Sequence, residues 1–491
     1  MDCLEVSLEK CKFATEFHWK SVNYRHKFHW KSVYKSFSYM IKRKIDNELR
    51  EYMKNDKRSL LVTGARQVGK TFSIRQAAKD CFEHVVEINF IEHPSAVQMF
   101  AGVTDAKELL LRISAFTKEQ LVPDKTLIFF DEVQECKEIV TAIKFLVDEG
   151  SYKYVMSGSL LGVELKDIRS IPVGYMSEKE MYPLDLEEFA EAIGISKEVI
   201  AHLRECYELR KPVDDFIHER MMEMIRLYLI VGGMPAAVQK YLDTNNLRHV
   251  LDEQREIIKT YKRDITKYDP GRKLQIGEIY NLIPPELNAK NKRFILKELN
   301  EKARFSRYES GILWLKDAGV ALPTYNIEEP RLPLLLNKQR NLFKLFLNDV
   351  GLLAAAYGSN IQVRLLSKET NINYGAIYEN LVAQELYAHG FPIDHDLFYF
   401  NSKKQGELDF VVEYNSDVLP IEVKSGKDYD RHRALANVMQ NEEYNIPWAI
   451  VFCHDNVQVN DKVVYLPIYM TMFLQQTKTE EAIYKFDLTG L

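Results

Sequence analysis

The chain has 491 residues, too many for one ordinary hydrophobic core, so about three domains are expected. A hydrophobic fraction of 46% beside 28% charged residues is that of a folded globular chain, and a net charge of −5 neither demands nor excludes a nucleic-acid partner. Six cysteines without a C-x-x-C pair argue against a zinc site or disulfide frame, no apolar run approaches the roughly 20 residues needed to cross a bilayer, and no signal-peptide pattern is present, so a reducing, cytoplasmic setting without a membrane partner is expected.

In chain order, Phe17-His18-Trp19-Lys20-Ser21-Val22 recurs as Phe28-His29-Trp30-Lys31-Ser32-Val33. Two copies at this spacing cannot build a solenoid core. Residues 1–39 are therefore expected to be an appended segment without a fold, or a start assigned too early; a basic, aromatic nucleic-acid tail is the competing reading. Met40 opens the first expected domain, residues 40–205. Its apolar run Leu60-Leu61-Val62-Thr63 leads into Gly64-Ala65-Arg66-Gln67-Val68-Gly69-Lys70-Thr71, and Phe72–Lys79 reads as a helix. Strand, glycine loop, Lys-Thr and helix spell the phosphate-binding P-loop. Glycines let successive N–H groups converge on phosphate oxygens, and the helix turns its positive end to the same anion. Lys70 is placed for the β- and γ-phosphates and Thr71 for a Mg²⁺ ion.

Val85–Phe90 reads as a strand and Ala106–Gln120 as a helix. Thr126–Phe130 is almost wholly apolar and ends in Asp131-Glu132. Such a run is a central parallel strand, and carboxylates at its carboxyl end are costly unless they face a cation or water. Asp131 is expected to hold Mg²⁺ and Glu132 to polarise the attacking water. A further strand, Tyr152–Met156, ends in Ser157-Gly158-Ser159, where either serine could face the γ-phosphate or the three residues could form a plain turn. Alternating strands and helices predict an α/β domain with an open, mostly parallel sheet.

The middle, 206–350, reads as helical. Phe216–Leu229 runs into Gly232-Gly233-Met234-Pro235, which breaks the helix sharply. Helices are expected over Val250–Tyr268, Phe294–Leu299 and Tyr308–Asp317, followed by a hairpin strand at Gly319–Asn326. Helices before a short ribbon suggest a winged helix. Lys290, Lys292, Arg293, Lys297, Lys302, Arg304 and Arg307 could contact phosphates, although interspersed glutamates fit a solvated face equally well.

In the last part, 351–491, Gly375–Leu386 reads as an amphipathic helix carrying Glu379. Strands follow at Leu397–Phe400, Glu407–Glu413, Leu419–Gly426 and Pro447–Phe452, with Val463–Pro467 as a short edge strand. Asp409 followed by Glu422-Val423-Lys424 reproduces the D…(D/E)-x-K signature of restriction-like nucleases; residues two apart on a strand share a face. Glu379, Asp409 and Glu422 would suit a hard cation, with Lys424 positioning a water or neutralising transition-state charge. An inactive binding module is the competing reading.

Together these pieces resemble a bacterial and archaeal family of AAA+-type ATPases, related to the signal-transducing STAND ATPases, with a restriction-endonuclease-like C-terminal domain. The resemblance runs from Met40 to the end. It rests on Gly64–Thr71, Phe129–Gln134, Ser157-Gly158-Ser159, Tyr182–Phe189, Gly232–Pro235, Leu347–Leu353 and the C-terminal carboxylates. It implies a P-loop sheet, a helical and winged-helix connector, and an α/β nuclease-like end. It implies ATP rather than GTP, Mg²⁺ as the ion, a serine at 157 or 159 sensing the γ-phosphate, and coupling through Gly232–Pro235. Relatives often carry a basic residue after the glycine at Gly174; here Tyr175 stands there, and Arg169 is a substitute without an assigned role. The expected function is Mg²⁺-dependent ATP hydrolysis controlling a nuclease-like effector that acts on DNA. The alternative is a signalling or scaffolding ATPase that switches a homo-oligomer while its last domain only grips a partner.

Overall fold

Strand formation in the first domain follows the apolar runs. Ser59–Thr63 (β1), His84–Asn89 (β2), Thr126–Asp131 (β3), Lys153–Ser157 (β4) and Met176–Glu180 (β5) make a five-stranded sheet in the order β2-β3-β4-β1-β5. All its pairings are parallel. Strands β1, β3 and β4 are buried along their whole length, because helices cover both faces. One strand, β4, separates the glycine-loop strand from the acidic strand. This computed structural model describes residues 41–476 apart from 104, 118, 160–173, 269–272, 290–291, 296–304, 367–373 and 427. The readings of residues 1–39, of Arg169, of most of Phe294–Leu299 and of Lys290, Lys297, Lys302 and Arg304 lie outside the described residues.

Three helices follow in close succession: Asp215–Val231, Pro235–Thr244 and Leu247–Tyr268. Asp214 caps the first by accepting from the Phe216 N–H at 3.0 Å. The chain then turns by 117° between the first two helices. Gly232, at φ 72°, and Gly233 make that turn; a Cβ on Gly233 would lie 2.1 Å from the Leu184 carbonyl oxygen. Among the described residues no helix is long and apolar enough to cross a membrane.

The second sheet has eight strands: Ala321–Ile327 (β6), Lys338–Leu347 (β7), Leu397–Ser402 (β8), Gly406–Tyr414 (β9), Asp417–Val423 (β10), Ala449–Cys453 (β11), Gln458–Asn460 (β12) and Val463–Pro467 (β13). Their order is β12-β13-β11-β10-β9-β8-β6-β7. The ribbon expected to be a wing is thus part of this sheet: β6 pairs antiparallel with β7 and parallel with β8. A boundary at 350 would cut through it. Burial explains why, since all seven residues of β6 are buried and need a partner on each side. The expected edge strand, β13, is one strand in, because Gln458–Asn460 pairs outside it.

The helix Tyr374–Ala388 is buried on every side rather than amphipathic. Its polar side chains are spent on the open ends of neighbouring elements. Asn380 accepts from the Leu347 N–H at 2.8 Å and donates to the Leu347 carbonyl at 2.9 Å. Gln384 accepts from the Val350 N–H at 2.9 Å, and Glu385 accepts from the Leu186 N–H at 3.1 Å. This helix therefore ties the second sheet to the end of the first domain, within one unit spanning residues 40–491.

Candidate functional site: a phosphate loop beside an acidic strand

The loop between β1 and the helix Lys70–Cys81 needs positive φ at three points: Gly64 at 128°, Gln67 at 68° and Gly69 at 99°. Only glycine fits the first, because a Cβ there would lie 2.2 Å from the Met181 carbonyl oxygen. The loop is held from outside by Arg43, which sequence reading missed. Its buried guanidinium donates to the Val68 carbonyl at 3.0 Å, the Tyr182 carbonyl at 2.8 Å and Glu188 at 3.0 Å. Planar, forked donors allow three directed bonds from one side chain.

Lys70 folds back over the loop. Its Nζ donates to the carbonyls of Gly64 at 2.9 Å and Ala65 at 2.8 Å and to Ser159 Oγ at 3.1 Å. Among the described residues no carboxylate lies within ion-pair distance of it. Burial pulls its ammonium down to about 8, while the charges of Glu132 and Asp131 hold it up. A buried lysine whose hydrogen bonds all go to neutral acceptors is poised for an anion.

Asp131, at the end of β3, is 3% exposed and gathers four donors. Thr71 Oγ1 lies 3.1 and 3.2 Å from its two carboxylate oxygens, Asn89 Nδ2 donates at 3.0 Å and the Glu132 N–H at 3.1 Å. Ser157 Oγ also donates to it. Burial raises its pKa, and the Ser157 bond opposes the rise. Glu132 has φ 58°, unusual for a residue other than glycine, and accepts from Gln134 Nε2 at 2.6 Å. Gln134 fixes the direction of the Glu132 carboxylate. Ser157 and Ser159 divide the expected sensing position: the first serves Asp131, the second Lys70. Tyr175 uses its carbonyl to accept from the Ser59 N–H at 2.9 Å. Asn89, inside Val85–Phe90, and Gln134, after Asp131-Glu132-Val133, carry no role assignable from the sequence.

The remaining expected residues meet on the second sheet. Glu379, Asp409, Glu422 and Lys424 converge, but with two lysines among them that were not foreseen. Lys344, fully buried on β7, sits 2.8 Å from Glu407, 3.5 Å from Glu379 and 3.9 Å from Asp409. Lys292 forms an ion pair with Glu379. Lys424 pairs with Glu422 at 2.9 Å. Burial opposes charging of Lys344, but Glu379, Glu407 and Asp409 outweigh it and hold it firmly protonated. Burial and Asp409 push Glu422 up to about 8. Among the described residues no group of three or more His, Cys, Asp and Glu side chains is arranged to hold a metal ion. Each of the expected ligands Glu379, Asp409 and Glu422 thus has an ammonium group within 4 Å. The signal was the lone Lys344 inside Leu342–Leu347, an otherwise apolar run.

Residues 56–190 match the family model of an AAA domain. Residues 222–363 and 374–470 match two domains of unknown function (DUF8612 and DUF4143). The chain is 24% identical over 363 residues to Uncharacterized protein MJ1544 of Methanocaldococcus jannaschii, covering 72% of this chain and 71% of that protein. Among solved structures it is similar to the Walker-type ATPase PABY2304 of Pyrococcus abyssi, at 14% identity and TM-score 0.38, covering 65% of this chain and 96% of that one. It is also similar to the Aeropyrum pernix ORC1 protein in complex with DNA, at 12% identity and TM-score 0.24, covering 66% and 92%. The first sheet and its loop are an AAA-type P-loop ATPase domain. Such a domain implies nucleotide binding.

Proposed function

We propose that the chain is a Mg²⁺-dependent ATPase whose nucleotide state is passed to the second sheet. The observation that carries the first half is Lys70, a buried cation satisfied by two carbonyls and a hydroxyl, beside a carboxylate that bonds Thr71. Phosphate oxygens would be taken by Lys70 and by the amides of the loop Gly64–Thr71. The oxygens of Thr71 and Asp131 fit a hard, oxygen-seeking ion. When bound, Mg²⁺ neutralises phosphate charge. Glu132, aimed by Gln134, orients a water and accepts its proton; Ser157 and Asn89 keep Asp131 in place, and Ser159 keeps Lys70.

The second half is supported by contacts on the far side of the loop. Arg66 pairs with Asp264 at 2.6 Å, and Tyr261 donates to the Arg66 carbonyl at 3.2 Å. Asn348 donates to Tyr261 at 3.3 Å. The next residue, Asp349, accepts from the Gly233 N–H at 2.5 Å and caps the helix Val350–Ala356. A shift of the loop on binding a triphosphate is felt by the helix Leu247–Tyr268, the Gly232-Gly233 turn and the end of β7. The closed state of the C-terminal carboxylates favours a switch over a constitutive nuclease.

The test is calorimetric titration with magnesium-loaded ATP and GTP, with turnover measured in parallel. Lys70→Ala is expected to weaken ATP binding more than tenfold. Glu132→Gln is expected to retain binding and to slow hydrolysis by about 100-fold or more, the usual range for a lost general base. Equal turnover in the native chain and Lys70→Ala would overturn the reading.

A further inference from the structure

We propose that Lys292 is an internal plug: it occupies the cation place of the C-terminal carboxylate cluster and keeps divalent ions out. This inference rests on the switch reading above and names its controlled element.

Four carboxylates, Glu379, Glu407, Asp409 and Glu422, face three ammonium groups, Lys292, Lys344 and Lys424. Losing Lys292 would leave the cluster more negative by one charge, which favours a cation in its place. The three lysines are not equivalent. Lys424 pairs with Glu422 from its own strand end. Lys344 is anchored in mid-strand on β7, and its close partner is Glu407, which is outside the Glu379, Asp409 and Glu422 set; it stands 3.5 and 3.9 Å from two members of that set. Lys292 pairs with Oε1 of Glu379, on the buried helix Tyr374–Ala388, while Lys344 stands 3.5 Å from its Oε2.

Lys292 lies outside any helix or strand among the described residues. It belongs to a connection after the helix Lys273–Asn288 and has a left-handed backbone, φ 47°. The connection is joined to β7 by the Phe294 N–H, which donates to the Phe343 carbonyl at 3.0 Å, and by the stacked rings of Phe294 and Phe343. The Ile295 N–H reaches back to Glu286 of the preceding helix at 3.3 Å. That helix packs on Leu247–Tyr268, which carries the Tyr261 and Asp264 that hold the phosphate loop. Among the described residues, withdrawing the plug breaks the Lys292–Glu379 ion pair and loosens the Phe294 and Ile295 contacts, while Lys344 stays anchored on β7.

The experiment is Mn²⁺ titration of the full chain without nucleotide, followed by the loss of free-ion electron paramagnetic resonance signal. Lys292→Ala is expected to gain about one Mn²⁺ per chain, bound at least tenfold more tightly than any such ion in the native chain. Adding Glu379→Gln to Lys292→Ala is expected to remove the gained ion. Circular dichroism verifies that each variant is folded, and Lys292→Gln, with a stem of similar length, serves in place of alanine if that variant is not. Equal Mn²⁺ binding by the native chain and the folded variant overturns the plug, as does a gained ion that survives Glu379→Gln. Because no nucleotide is present, that failure leaves the ATPase reading standing. Conversely, equal turnover in Lys70→Ala would remove the ATPase reading without touching the plug.

Discussion

Replacing Lys344 with methionine tests the charge balance of the second sheet. The substitution keeps most of the stem and removes only the charge. Lys344 is fully buried, 2.8 Å from Glu407, with Glu379 at 3.5 Å and Asp409 at 3.9 Å. Removing one partner of a buried ion pair costs about 3–5 kcal/mol, mostly from the charges left behind. Two effects reduce that figure here. Lys292 still pairs with Glu379, and Glu407 is 27% exposed and can recruit water. About 3 kcal/mol at neutral pH is therefore expected, roughly a hundredfold in the opening equilibrium. Native-state hydrogen exchange reads this locally, without assuming that so large a chain unfolds in one step. Peptides from Tyr374–Ala388, Gly406–Tyr414 and Asp417–Val423 should exchange about a hundred times faster in Lys344→Met, while β1 and β3 stay unchanged. The cost should shrink toward pH 5, as the orphaned carboxylates take up protons. Exchange within threefold of the native chain at pH 7 would refute the account of Lys344 as the neutralising cation.

Gly64→Ala places a Cβ 2.2 Å from the Met181 carbonyl oxygen at φ 128°; the melting temperature should fall by several degrees and nucleotide binding should be lost, and an unchanged melting curve would contradict this. Arg43→Met removes three directed bonds around the loop, two of them to carbonyls, so ATP affinity should weaken about tenfold by calorimetry, and Arg43→Lys should not restore it because a single ammonium cannot span the three acceptors. Asp349 is raised to about 6 by burial, against donors from the Gly233, Leu352, Gly351 and Met234 N–H groups. A raised carboxyl favours the folded state at low pH, so the native chain should lose about 2 kcal/mol relative to Asp349→Asn as pH rises from 4 to 7; urea titrations whose difference stays flat across that range would show the group to be ordinary.

Most of the phosphate site was readable before any fold was known, because its chemistry is local in sequence. Gly64–Thr71 is one continuous loop whose backbone amides form the cradle, and Asp131-Glu132 ends one continuous apolar strand. Covalent spacing alone brings the parts of each within a few ångströms. What the chain order could not contain is pairing between distant segments. Arg43 reaches the loop because β5 and the turn after it run past Gly64, a consequence of strand order. The ribbon β6–β7 joins the second sheet because a strand buried along its length needs hydrogen-bonding neighbours on both sides, and β8 supplies one. Lys344 and Lys292 meet Glu379 for the same kind of reason. A carboxylate cluster announces its charge in the sequence, but which cation neutralises it is decided by whichever side chains the packing brings within reach.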